Sequence, residues 1–105
     1  MNNQKDLVLS RIKSQIQEID PSAHIILYGS RARGDEKSDS DWDILILVNS
    51  EVDIKSEQVF RHKLFDLELE LGEAFSTFVY NENEWKSKYW MTPFYKNISK
   101  EGIAI

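Results

Sequence analysis

Apolar side chains recur at Leu7, Val8, Ile12, Ile16 and Ile19, a helical spacing that predicts a helix from about Asn3 to Ile19, stopped at Asp20-Pro21. The next apolar segment, His24 to Tyr28 (HIILY), is short, rich in β-formers and closed by Gly29, as a strand would be. A polar stretch from Ser30 to Ser40 follows. Asp41 to Val48 (DWDILILV) then begins as alternation and ends as an unbroken apolar run, which predicts a strand covered on both faces. Asn49 to Asp53 reads as a turn.

From about Ile54 to Leu71, the positions Val59, Phe60, Leu64, Leu67 and Leu71 suit a helix with Gly72 as its stop. Within it, Asp66 to Leu71 (DLELEL) also alternates as a half-buried strand does. Gln, Lys, Leu and Glu dominate the preceding residues, and propensity summed over the window favours helix. Phe75 to Tyr80 (FSTFVY) is the third strand. Asn81 or Asn83 caps a helix carrying Trp85, Tyr89 and Trp90, and Thr92-Pro93 opens a last short helix through about Lys100. Helices alternating with strands predict an α/β sheet with helices packed on it, in a single domain spanning residues 1–105.

Composition narrows the function. A net charge of −5 is the wrong sign for coating nucleic acid, so no extended nucleic-acid surface is expected, although a local basic cluster would still grip one phosphorylated ligand. The absence of cysteine excludes disulfides, thiolate metal sites and cysteine nucleophiles. Met1 to Ile16 is polar and amphipathic without an apolar signal core. No run approaches the roughly 18 apolar residues of a membrane span. No membrane contact and a cytoplasmic location are the expectation.

Charge is concentrated in one place: Tyr28 to Val48 holds two arginines and five acids beside a strongly apolar run. Asp39, Asp41 and Asp43 copy the D-x-D-x-D opening of a calcium loop, but the positions that need Gly and Glu hold Ile44 and Ser50. Gly29 and Gly34 have P-loop spacing, but the Lys and Ser/Thr that should follow are Asp35 and Glu36. The surviving reading is a phosphate and metal site. Two acids separated by one residue on a strand project from the same face, with Cα atoms about 6.6 Å apart. Asp41 and Asp43 therefore aim two carboxylates at one magnesium ion, a hard cation that takes oxygen ligands. Trp42 faces the other way, into packing. Gly29, lacking a Cβ, lets backbone approach a ligand closely. Ser30 offers a hydroxyl and an N–H at the start of a short helix over Ser30–Arg33. Arg31 and Arg33 add charge that suits a triphosphate.

"GSRARG" followed by "SDSDWDILI" resembles the nucleotidyltransferase domain of the DNA polymerase β superfamily. More narrowly, it resembles the minimal nucleotidyltransferases paired with HEPN-domain partners in toxin–antitoxin systems. That resemblance implies a palm-like α+β fold with a small mixed sheet of three or more strands. It implies that Gly29 and Ser30 hold the β- and γ-phosphates while Asp41 and Asp43 ligate two catalytic magnesium ions. It implies transfer of NMP, AMP from ATP foremost, to a hydroxyl of a protein or small acceptor with release of pyrophosphate. The expected partners are the nucleoside triphosphate and a HEPN-domain protein, with self-assembly of the chain also open. The family usually carries a third carboxylate on the next strand. Phe75 to Tyr80 has no acid, which leaves Glu70 and Glu73 as the nearest candidates.

Blander readings stand beside these. Asp41 and Asp43 also fit a solvated strand start, and Arg31 and Arg33 fit surface ion pairs. Asp35, Glu36 and Asp39 read as a solvated loop, and His24 and His62 as ordinary surface residues. The aromatic-rich tail, Tyr80, Trp85, Tyr89, Trp90, Phe94 and Tyr95, completes a small core or, alternatively, contacts a partner chain. Two functional readings follow: a magnesium-dependent enzyme, or a non-catalytic nucleotide-binding module that acts on a HEPN partner by contact. An aminoglycoside-modifying activity is a third and weaker option, because 105 residues leave little room for a drug-binding domain.

Overall fold

The apolar run that predicts a doubly covered strand lies in the middle of the sheet. The computed structural model describes residues 3–105. Met1 and Asn2, which begin the expected polar N-terminal segment, lie outside the described residues. The elements in chain order are α1 (Asn3–Ile19), β1 (His24–Tyr28), α2 (Ser30–Arg33), β2 (Trp42–Val48), α3 (Ile54–Leu71), β3 (Phe75–Asn81), α4 (Glu82–Lys88), α5 (Pro93–Glu101) and β4 (Ile103–Ala104). The sheet order is β3-β2-β1-β4. β1 runs antiparallel to both β2 and β4, while β2 and β3 are parallel, so the sheet is mixed.

Alternation along the strands divides the core into two layers. Ile25, Leu27, Trp42, Ile44, Ile46, Val48 and Val79 pack with Val8, Ile12 and Ile16 of α1 and Phe60, Leu64 and Leu67 of α3. The opposite face carries Tyr28, Leu45 and Leu47 against Trp85 of α4 and Ile98 of α5. Much of the aromatic tail interlocks there: Trp85 meets Phe94 edge-on at 5.5 Å and Tyr95 at 5.0 Å between ring centroids, arrangements that add to simple burial. Trp90, by contrast, is 54% exposed.

The expected elements form with small shifts. DLELEL stays helical: Asp53 caps α3 by accepting from Ser56 N in a reciprocal capping box, and Gly72 ends it in the left-handed conformation. Of the two candidate caps for α4, Asn81 accepts from Glu84 N. α4 ends at Lys88, one residue before Tyr89. β2 begins at Trp42, so Asp41 sits just ahead of the strand. β4 has no sequence forecast, because two residues carry no periodicity.

β3 is an edge strand whose outward polar groups are met by α3. Arg61 Nη2 donates to Thr77 O at 3.3 Å and Phe75 N donates to Glu68 Oε1 at 3.0 Å. Among the described residues no helix is long and apolar enough to cross a membrane.

Candidate active site

Tyr28 pairs with Asp43 across the β1–β2 ladder, so the residue that follows Tyr28 arrives beside the Asp43 side chain. Gly29 has φ 75° and ψ −160°, a region open essentially to glycine alone. A Cβ placed on Gly29 would stand 2.1 Å from Asp43 Oδ2. Glycine is thus required twice, by its backbone conformation and by the carboxylate packed against it. The chain then turns into α2, with Ala32 N and Arg33 N donating to Gly29 O. Gly34 closes this short helix in the left-handed conformation.

Asp43 is partly buried and Asp41 exposed. Burial is the main cause holding the Asp43 carboxyl above its usual range, and the neighbouring Asp41 charge adds to it. Arg33 opposes the shift and Glu101 reinforces it. Two carboxylates felt through the same space, one of them partly desolvated, create a demand for positive charge. The Tyr28 hydroxyl is pushed well above its ordinary value by burial first and by Asp43 second, so it remains a neutral phenol on the same side of the sheet.

Gly29, Ser30, Arg33, Asp41 and Asp43 therefore belong to one corner of the molecule. Arg31 does not join them. Its guanidinium donates to Ser40 O at 2.9 Å from Nη2 and lies 4.4 Å over the Trp42 ring, with Glu73 at 3.8 Å. Trp42 is 1% exposed and projects from the face of β2 opposite to Asp43. Expected as a phosphate contact, Arg31 here braces the loop leading into Asp41. The reason is alternation: residues 42 and 43 point apart, and Arg31 follows the tryptophan.

The two candidates for a third carboxylate are likewise engaged elsewhere. Glu70 pairs with Arg11 of α1, which holds its carboxyl below the usual range. Glu73 accepts from Trp42 Nε1 at 3.1 Å and from Gln4 Nε2 at 3.3 Å. The β3 residue in register with Asp43 is Ser76, so a hydroxyl occupies the position where the next strand would present an acid. Among the described residues no group of three His, Cys, Asp or Glu is placed to hold a metal. An acid absent from the sequence reading does reach this corner. Glu101, at the end of α5, receives Arg33 Nη1 at 2.7 Å. No local pattern flagged it, because it lies 68 residues from its partner.

The profile of the nucleotidyltransferase domain family matches residues 9–105. The chain belongs to that family. A solved structure described as a toxin–antitoxin with AMP-PNP superposes on this nucleotidyltransferase domain with a TM-score of 0.67. It covers 90% of this chain and 69% of the other at 19% identity, which speaks for a common fold. Among curated proteins none matches the chain. The mixed four-stranded sheet with its Gly29–Ser30 turn facing Asp43 is thus a nucleotidyltransferase fold, and family membership supports a function of the nucleotidyltransferase type.

A cavity of about 990 Å³ lies away from this corner, between His24, Glu82, Trp85 and Tyr95. Asp41 is exposed and Gly29, Ser30 and Asp43 are half-buried, so a ligand can reach the acid pair and the glycine turn from the surface.

Proposed function

We propose that this domain, acting as one unit, transfers a nucleoside monophosphate, AMP from ATP, to a hydroxyl of a protein or small acceptor. The observation that carries the proposal is the closeness of Asp43 Oδ2 to Gly29, with Asp41 acting on the same carboxylate. A polyphosphate lying along the Gly29–Ser30 turn is thereby brought against the acid pair. The donor set fits magnesium: two carboxylates, one held partly desolvated, with open surface for water and phosphate oxygens.

Asp41 and Asp43 are the metal ligands in this proposal, Gly29 and Ser30 the phosphate cradle, and Arg33 the cation beside it. Bound magnesium supplies charge at the transferring phosphorus and polarises the attacking hydroxyl. The acceptor hydroxyl oxygen attacks the α-phosphorus and gives its proton to solvent, the bond to the bridging oxygen breaks, and pyrophosphate leaves with that electron pair. Such a reaction belongs in the cytoplasm, where nucleoside triphosphates are abundant. The likeness to a toxin–antitoxin structure supports a protein partner, and the motif resemblance of GSRARG and SDSDWDILI is what suggests a HEPN-domain protein in that role and as acceptor.

A second reading has its own observation. With Ser76 in register with Asp43 and no three-acid cluster among the described residues, the domain would keep nucleotide binding and act on its partner by contact. Incubation with labelled ATP, magnesium and the product of any neighbouring HEPN gene separates the two. Label transfer that vanishes in Asp43→Ala supports the enzyme. A complex that forms without label transfer and ignores Asp43→Ala supports the contact module.

A further inference from the structure

The geometry points to Glu101 as a positioning residue that fixes the Arg33 guanidinium beside the Gly29–Ser30 turn, where the proposed function places the polyphosphate. The inference rests on that nucleotide-binding reading and adds a residue from the far end of the chain to its site.

Strand pairing brings Glu101 close. β1 and β4 pair Ile26 with Ala104 and Leu27 with Ile103. Glu101 ends α5 two residues before Ile103, and Leu27 lies two residues before Gly29, so the helix end and the glycine turn meet at the same end of the β1–β4 pair. The junction is tight: a Cβ on Gly102 would stand 2.5 Å from Ile98 O and 2.7 Å from Ile26 Cγ2. Only glycine lets α5 turn into β4 this close to β1. Glu101 is thereby held near the phosphate turn by the junction of α5 with β4, not by a loose tail.

Its side chain is 20% exposed and bonded to Arg33 Nη1 at 2.7 Å. Asp35 takes the Arg33 Nε at 3.2 Å. Carboxylates on two sides restrict a long side chain that would otherwise sample many rotamers. The remaining guanidinium donors stay available for phosphate oxygens. Glu101 also acts electrostatically on Asp43, which places it at the same corner. A direct metal-ligand role is disfavoured, because no third acid is grouped with Asp41 and Asp43 among the described residues. Its action runs through Arg33.

The test is a two-by-two set of Arg33→Ala and Glu101→Gln, with Glu101→Ala as a second truncation. Binding of magnesium with a non-hydrolysable ATP analogue is measured by calorimetry, and thermal midpoints are recorded for each variant. Arg33→Ala is expected to weaken binding roughly tenfold or more, the scale of a charge-assisted hydrogen bond. Glu101→Gln should weaken it roughly three- to tenfold, the scale of an ordinary one. In the Arg33→Ala background neither Glu101 change should weaken it further. A merely structural glutamate would give the same loss in both backgrounds, and that result overturns the inference. Unchanged binding in both Glu101 variants overturns it too while leaving the nucleotide reading intact. If the unaltered protein binds no nucleotide, the proposed function and this inference fall together.

Discussion

Gly29→Ala probes the closest approach in the molecule. Two costs are separable. The backbone conformation at φ 75°, ψ −160° penalises any side chain by about 1–3 kcal/mol. The new Cβ also lands 2.1 Å from Asp43 Oδ2, where real contacts essentially never fall below 3.0 Å, so the carboxylate has to retreat by the best part of an ångström. Most of that second cost is removed when Asp43 is truncated to alanine, because its remaining Cβ is 3.3 Å away, a tight contact that a shift of a few tenths of an ångström relieves. Gly29→Ala should therefore lower stability by about 1–3 kcal/mol in the Asp43→Ala background. In the native background it should cost a further amount on the order of 0.5–3 kcal/mol, the usual range for coupled neighbours. Urea unfolding of the four proteins measures both terms. A backbone cost of about 1 kcal/mol also lowers the melting temperature by roughly 4 °C or more. Equal losses in the two backgrounds would refute the contact between the turn and the carboxylate. No loss in either would refute the strained glycine conformation as well.

The remaining predictions concern charge, metal and core. Asp43 has a raised folded-state pKa, so its contribution to stability is full below the unfolded value near ~4 and is lost as pH rises through the folded value. Asp43→Asn should accordingly be more stable than the native apo protein at neutral pH and converge with it in acid. Urea midpoints between pH 4 and 7 check this, and a less stable variant at pH 7 contradicts it. Asp53 has the opposite sign: bonds from Ser56 hold its carboxyl low, so Asp53→Ala should destabilise at neutral pH, with the deficit fading as pH falls through the folded value. Magnesium and ATP at about one hundred times their dissociation constant should stabilise the native protein by about 2.7 kcal/mol. Calorimetric melting should show no such gain for Asp43→Asn. Trp85 is buried among Tyr80, Tyr89, Phe94 and Tyr95, so Trp85→Ala should cost about 3–5 kcal/mol in urea. A loss below 1 kcal/mol would mean that the aromatic layer is not the second core.

Periodicity made β2 legible, because a strand buried on both faces must be written in apolar residues throughout. Spacing made the Gly29 turn and the start of β2 beside Asp43 legible, because positive φ and strand alternation each demand particular residue types. The packing of Arg31 against Trp42 was not legible, for the opposite reason. Two arginines separated by one residue look equivalent in sequence, yet only one has a large indole to cover. Neither Glu101 nor Ser76 was visible in advance, since each is defined by a distant partner: one by its bond with Arg33, the other by the parallel β2–β3 register. Long-range pairing of that kind leaves no local trace.

The capping of β3 by Arg61 and Glu68 has a consequence for how the protein behaves when crowded. An unpaired seven-residue margin is a template on which another extended chain can grow. Here a newcomer must first displace a guanidinium and a carboxylate anchored on a helix, so fibrous growth from this side is obstructed by residues that take no part in chemistry.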